Sequence, residues 1–542
     1  MVSRKREIDL NLMEVKKTIN LNLNITKVLY IIVIALGVLF RLGSYIQDRT
    51  LWYDEAMLAS GIIQRGFSGL LKPLDYSQSA PLGFLLIVKS FITVLGSSQR
   101  ILRLYSFLAG LLSIRLFYLF IKRSGFKRPL LGTAFYATVS PLVYYSTELK
   151  PYMSDAFFTV AALYLYKLYE DKKLPLWGYL LFCFFAVWIS FPTIFVIGAI
   201  TAYNFFACIA RFAVNMFTRD ADRAKETFRI FIGAVAFGAI ALISFGICYF
   251  VYTAKVSGNI DGMSMEYWKQ LYFPLFPENK SQWDLIYLML NNYLSFIFYD
   301  VSAIAWILWI GGTLLFLVRK NNIGGYTILA VLFTVIASSI EQYPMQDRLL
   351  LFLVPFTILG VLFFAEVLMD LLVWKPFEVV IFILIIALNY GSLRYTDVSN
   401  MYREGQEAAN LIYYLDNKIE DDEKLYIFAN AVPIYEYTTG YKQSLTHFPD
   451  NVFESGQMIY GCKYWNLKSE PYKYITTLDE ERLKENVDAI IKYQKVYVLF
   501  YHFGSDAEYY LISELRKYGT VTYFMNEKDT PLYYFVRYAH LN

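Results

Sequence analysis

Apolar runs of about 17–25 residues recur through this chain, and that is the length needed to cross the hydrocarbon core of a bilayer. A soluble protein rarely spends so much of itself this way: 57% of the 542 residues are hydrophobic and 18% aromatic, with a mean hydropathy of +0.38. The expected fold is a polytopic α-helical membrane protein. The formal net charge of +4 decides little, because where the charges fall matters more than their sum. Lys and Arg are dispersed or flank the apolar segments, so no nucleic acid is expected as a partner. Of Cys183, Cys208, Cys248 and Cys462, three fall inside apolar segments, which speaks against a disulfide framework or a cysteine metal site. The histidines, His447, His502 and His540, come late in the chain and make a histidine-rich metal site equally unexpected.

Charge sets the topology. Residues 1–26 carry Arg4, Lys5, Arg6, Lys16 and Lys17, which places them in the cytoplasm. No small-residue cleavage site follows the first apolar segment, 27–46, so it reads as a retained helix leading outward. Residues 56–80 have helix-like apolar spacing and are expected as an amphipathic helix on the outer surface. The next segment, 81–96, is short and has Lys89 in its middle. If it crossed, the basic loop Lys122 to Arg128 would fall outside; charge parity therefore makes it a segment that does not cross. Further spans are then expected at 100–121, 129–146, 152–169, 174–190, 193–211, 228–252, 302–318, 324–340, 349–373 and 376–393. The total is about eleven, with 11–13 the range allowed by the length rule. Ser146 to Asp155, Lys255 to about residue 300, and Glu341 to Arg348 become external loops.

From Arg394 the chain turns charged and mixed, with strand-like runs at Leu425–Phe428, Val496–Phe500 and Tyr533–Val536 between helical patterns at Glu407 to Leu415 and Ala507 to Tyr518. This predicts a C-terminal soluble α/β domain of about 145 residues, placed outside by the odd number of spans. The expected domains are thus a cytoplasmic tail at 1–26, a membrane domain at 27–394 with external loop 47–99, and an external domain at 395–542.

The unusual residues gather on the outer side. Asp54-Glu55 follows the first span; such a pair reads either as a solvated loop end or as a general base with a partner that orients it or binds a cation. Glu148-Leu149-Lys150-Pro151-Tyr152 comes next, where Pro151 opens a helix whose N-terminus, with Lys150 beside it, favours an anion. Snorkelling by Lys150 is the plainer reading. Arg348 and the pair Arg100 and Arg103 also face outward, each readable alone as a headgroup anchor. Several outward cations in loops that also carry carboxylates point instead to a site for a phosphate-bearing lipid.

Together these stretches resemble the bacterial membrane glycosyltransferases of the GT-C fold, the group of the protein O-mannosyltransferases and the aminoarabinose transferase (the glycosyltransferase family 39 type). The matching motifs are Trp52-Tyr53-Asp54-Glu55-Ala56, Ser79-Ala80-Pro81-Leu82, Ile101-Leu102-Arg103-Leu104-Tyr105-Ser106, Tyr145 through Tyr152, and Tyr343-Pro344 through Arg348 to Pro355. Glu404-Gly405-Gln406-Glu407-Ala408-Ala409 is similar to the start of the family's external domain. Two departures stand out: the family usually has Arg where Lys150 stands, and often His or a second Pro within Gln78 to Ala80. The resemblance implies inverting sugar transfer from a polyprenyl-phosphate donor to a hydroxyl of a lipid, glycan or protein acceptor, at the outer face of a bacterial cytoplasmic (inner) membrane, with the C-terminal domain periplasmic. It implies Asp54 as the base with Glu55 as its catalytic partner, and Arg103, Lys150 and Arg348 on the donor phosphate. Glu148, Tyr152 and Tyr343 would orient the substrate. A divalent cation is allowed for without being required, and no other cofactor is expected.

A flippase for lipid-linked sugars is the first competitor; it predicts internal repeats and mid-span ionisable residues. No repeat is evident, and most of the charged residues singled out lie near external ends; Lys89, Glu366 and Asp370 are the exceptions. A non-catalytic assembly protein would leave the external charges unexplained. A glycan polymerase or ligase with a pyrophosphate-linked donor is the nearest alternative among enzymes.

Overall fold

A computed structural model describes residues 27–218, 221–257, 268, 271–298, 302–372, 380, 409–415, 417–441, 452–461, 465–470, 473–478, 480–501, 505–527 and 530–539. The tail 1–26, all of the expected span 376–393 but residue 380, the domain start at Glu404 to Ala408, Cys462 and the three histidines lie outside these.

Six described helices are long and apolar enough to cross a membrane: Lys27–Ile46, Gln99–Arg123, Thr193–Ala213, Ala221–Val256, Asn322–Ser339 and Asp347–Leu371. Lys280–Phe298 and Ala303–Val318, bent by 95° at their junction, make a seventh if counted as one span. Tyr152–Glu170 and the shorter Leu176–Ile189 coincide with two further expected spans. The first helix leaves Ile31, Ile32, Leu39 and Phe40 exposed, as a lipid-facing helix does. The stretch at Lys280–Phe298, expected as external loop, is helical and buries Met289, Tyr293, Leu294 and Ile297 at spacings of 3 and 4. Lys280, Gln282, Asp284, Asn291 and Asn292 dilute its apolar run and hide it from a length rule.

The expected span 129–146 is broken. Helix Pro129–Thr138 stops, Ser140–Tyr144 resumes, and a 3₁₀ turn, Tyr145–Thr147, leads into the loop at 148–151. Pro141 has no N–H to give the Ala137 carbonyl four residues back. Arg41, fully buried in the first helix, supplies the donor instead: its Nη1 bonds the carbonyls of Ala137 and Gly37. Gly37 permits this approach, since a Cβ there would fall 2.4 Å from the Ala137 oxygen.

The segment 81–96 forms a helix, Leu82–Leu95, of 14 residues. At about 1.5 Å per residue it is too short for a hydrocarbon core of about 30 Å. Lys89 donates to the carbonyls of Ile62 and Ile63 at 2.9 and 3.2 Å, capping the last turn of helix Tyr53–Gln64. Residues 56–80 do not form the single amphipathic helix expected: the helix ends at Gln64 and carries no exposed polar face over its first turns. Glu55 to Ile62 are all buried, under Leu82–Leu95 on one side and the C-terminal domain on the other. Between these helices Tyr76 and Ser77 both hold positive φ, 56° and 52°, a conformation that costs a non-glycine residue about 1–3 kcal/mol and persists only where the surroundings fix it.

The C-terminal domain is α/β, as its pattern predicts. Its six-stranded sheet has the order β2 (Phe453–Ser455), β3 (Met458–Tyr460), β1 (Lys424–Ile427), β6 (Lys495–Leu499), β8 (Thr530–Arg537), β7 (Gly519–Glu527). A separate hairpin joins β4 (Trp465–Glu470) and β5 (Lys473–Leu478). The central strand β1 runs parallel to both β3 and β6. Its carboxyl end runs into helix Val432–Thr438, which lands on helix Tyr53–Gln64. One apolar core is shared across this junction: Ala56, Leu58, Ile62 and Phe84 cluster with Leu411, Val432, Ile434 and Tyr435.

Candidate active site

Asp54 and Glu55 are neighbours in sequence and part company in space. Both sit in the first turn of helix Tyr53–Gln64, where successive side chains point about 100° apart. Glu55 turns inward and is fully buried. Its Oε1 accepts from Arg103 Nε at 2.7 Å and from the Leu149 N–H at 2.6 Å. Its Oε2 accepts from Arg103 Nη2, and from Arg49 Nη1 and the Trp52 N–H at 3.3 Å each. Burial alone would raise this carboxyl, but the Arg103 and Arg49 charges and the hydrogen bonds outweigh it and hold it at about 2. Arg103 gives its remaining donors to the carbonyls of Arg49 and Thr50. Arg49 reaches the Thr147 carbonyl at 3.0 Å and lies over the Tyr144 ring. Glu55 is therefore the hub of a clamp joining the loop at 47–52 to helix Gln99–Arg123 and to the loop at 147–149.

Asp54 stays at the edge, with its side chain 19% exposed. Its Oδ2 lies 3.2 Å from Arg348 Nη1 and 3.9 Å from Lys150 Nζ. Lys150 is buried and donates to Gln78 Oε1 at 2.8 Å. Burial pushes its ammonium below the usual lysine value and Arg348 adds to this, with Asp54, Glu148 and Glu55 pulling the other way. The Arg348 guanidinium sits 6.0 Å from the centre of the Tyr152 ring, and its Nε has no acceptor among the described residues. The structure thus brings Asp54, Lys150, Arg348 and Tyr152 together, from loops about 100 and 200 residues apart in the chain.

Glu148 completes the floor. It is 1% exposed; Oε1 accepts from the Trp52 indole at 3.0 Å, and Oε2 has no donor among the described residues. Burial and the nearby Glu55 charge raise it to about 7, against the pull of Arg49, Lys150 and Arg348. A carboxyl raised in the folded state binds more protons there than in the unfolded chain, so stability falls as pH rises from the ordinary carboxylate range through about 7. Glu148→Gln is expected to flatten that decline, read as thermal midpoints of the detergent-purified protein between pH 5 and 8. An unchanged slope would show that Glu148 is ionised throughout.

Three expected site residues have other work in this geometry. Arg103, expected on a phosphate, is 3% exposed with its donors taken by Glu55 and two carbonyls. Glu55, expected as a catalytic partner, faces those arginines and not the space beside Asp54. Tyr343 gives its hydroxyl to the Leu349 carbonyl at 2.7 Å and so braces the turn that carries Arg348. Arg100 pairs with Asp48 near the surface, the anchor reading. Sequence reasoning missed Arg49 and Gln78. Arg49 is one more outward cation after the first span; Gln78 stands within a stretch marked only as a departure from the family pattern. Among the described residues no group of three or more His, Cys, Asp or Glu could hold a metal. The carboxylate nearest the open edge, Asp54, is flanked by Lys150 and Arg348, a donor set that does not fit a divalent cation.

No protein-family model matches this chain, and no curated protein does. Solved structures do. ArnT from Cupriavidus metallidurans in the apo state superposes with a TM-score of 0.51 at 12% identity, over 93% of this chain and 97% of that one. The same protein bound to undecaprenyl phosphate gives 0.50 at 11% identity, over 93% and 97%. At such identities the likeness speaks for the fold and leaves the reaction open. With its apolar helices and appended sheet, the chain is a polytopic helical membrane protein of the GT-C fold carrying a C-terminal α/β domain.

Proposed function

We propose that the chain is a membrane glycosyltransferase that moves a sugar from a polyprenyl-phosphate donor to a hydroxyl of a lipid, glycan or protein acceptor, with inversion. The reaction is placed at the outer face of a bacterial cytoplasmic membrane, with the C-terminal domain outside. One observation carries this reading: a partly exposed carboxylate, Asp54, bracketed by the cations Lys150 and Arg348 at 3.9 and 3.2 Å. A base beside an anion site is what displacement of a phosphate by a hydroxyl requires. Asp54 takes the proton of the acceptor hydroxyl as its oxygen attacks the anomeric carbon. The bond from that carbon to the phosphate oxygen breaks, and the phosphate leaves with the electron pair, stabilised by Lys150 and Arg348. Tyr152 lies under the Arg348 guanidinium and fixes its approach. Glu148 holds Trp52 beside the base. The undecaprenyl phosphate of the similar ArnT structure supports a polyprenyl-phosphate donor.

The test is transfer by the purified protein in proteoliposomes, offered polyprenyl-phosphate sugars and envelope extracts as acceptors. Glycan analysis of cells lacking the chain should show one sugar missing. Transfer only from pyrophosphate-linked donors would assign the chain to the polymerases and ligases instead. Arg348→Gln is expected to lower transfer by about 10²–10³-fold, the usual loss when a preorganised charge donor is removed. An effect under tenfold would take Arg348 off the phosphate.

A further inference from the structure

The C-terminal domain reaches toward this site through buried polar contacts. Glu436, on helix Val432–Thr438, is 1% exposed, and its Oε2 accepts from the Tyr76 hydroxyl at 3.3 Å. Tyr76 is itself buried, and it opens the two-residue stretch of positive φ at Tyr76 and Ser77. The next residue is Gln78, whose Oε1 accepts from Lys150 Nζ at 2.8 Å, and Lys150 faces Asp54 at 3.9 Å. A parallel contact joins Tyr53, the residue before Asp54, to Asn430 at 3.4 Å. Two residues of the external domain thus grip the membrane domain within two positions of Asp54 and Gln78.

We propose that Glu436 is a positioning residue: by holding Tyr76 it maintains the left-handed turn that presents Gln78 to Lys150, so the docked C-terminal domain fixes the cation beside Asp54. A β or helical conformation at Tyr76 and Ser77 would be the ordinary choice for these residue types. It is the buried ring and its hydroxyl contact that oppose relaxation. Once the turn relaxes, the Gln78 oxygen leaves Lys150, and the ammonium loses the acceptor that restrains it. The inference rests on the proposed function only for its consequence in catalysis; the geometry it describes stands apart.

The experiment is competitive modification of Lys150 in the full-length, detergent-purified protein by a small amine-reactive acylating reagent, read by peptide mass spectrometry beside thermal midpoints. Tyr76→Phe and Glu436→Leu are expected to speed modification of Lys150 several-fold. Glu436→Gln, which keeps an oxygen to accept from the tyrosine, is expected to stay at the wild-type rate. Gln78→Leu cuts the last link without touching the domain junction and should match Tyr76→Phe even if Glu436→Leu fails to fold. Lys150 reactivity unchanged in Tyr76→Phe or in Gln78→Leu overturns the proposal. In proteoliposomes the same two variants should lower kcat/KM for the polyprenyl-phosphate sugar about tenfold. Absence of transfer by the wild type would defeat the functional reading alone, because the modification rates need no turnover. Normal transfer with unaltered Lys150 protection would defeat this proposal alone.

Discussion

Asp54→Asn is expected to lower sugar transfer by about 10²–10⁴-fold, the usual contribution of a positioned general base, while the protein inserts and melts as the wild type does. The substitution is nearly isosteric. Asp54 touches the rest of the protein through Arg348 at 3.2 Å and Lys150 at 3.9 Å, and its side chain is 19% exposed. Its partners are 22% exposed at Arg348 and 7% at Lys150, so losing the pairing is expected to cost about 1 kcal/mol, above a surface pair's share and below a fully buried pair's. The loss should therefore appear in kcat, with the midpoint within a degree or two of the wild type. Binding of polyprenyl phosphate should persist or tighten, because the two cations are freed of their counter-charge. Undiminished turnover would remove Asp54 from the role of base.

Glu55→Gln is expected to do the reverse: it should cost about 3–5 kcal/mol of stability, the usual penalty for breaking a buried ion pair from one side. The amide keeps an oxygen for the Leu149 N–H but removes the charge that neutralises Arg103 and Arg49 in a place sealed from water. Chemical or thermal unfolding in detergent would measure it. The linkage has a definite sign. With the folded-state carboxyl held at about 2, its contribution is complete above the unfolded carboxylate range and fades as pH falls toward that value. Wild type and variant should therefore differ most near neutrality and converge in acid. A variant that melts like the wild type yet fails to transfer sugar would return Glu55 to the chemistry.

These two acids also mark how far the sequence could be read. The membrane class, the short helix and the α/β character of the last 145 or so residues follow from run lengths and charge placement, which put Asp54, Lys150 and Arg348 on one side; only the family resemblance implied that they share a site. Which member of the Asp54-Glu55 pair faces in does not follow from them. It is decided by Arg103 and Arg49, and a cation on an outer helix end looks the same in sequence whether it is bound for a ligand or for a buried carboxylate. Lys89 carries the same lesson. In sequence it looked like a charge stranded in an apolar segment, and in the fold it caps another helix. Helix Lys280–Phe298 escaped because its apolar stripe is an amphipathic face, and a test for continuous hydrophobic length is blind to that. Gln78 escaped because nothing local to it announces a partner 72 residues downstream.

The clasp between Asp54 and Arg348 joins residues 294 positions apart. The Glu55 clamp, by contrast, is complete once the chain has passed Leu149, within 94 positions. A ribosome making roughly 5–20 residues per second would finish the clamp and then take about 10–40 s more to reach the arginine. The C-terminal domain, whose Glu436 accepts from Tyr76, is translated later still. During that interval the nascent protein has a built scaffold and an unfinished centre.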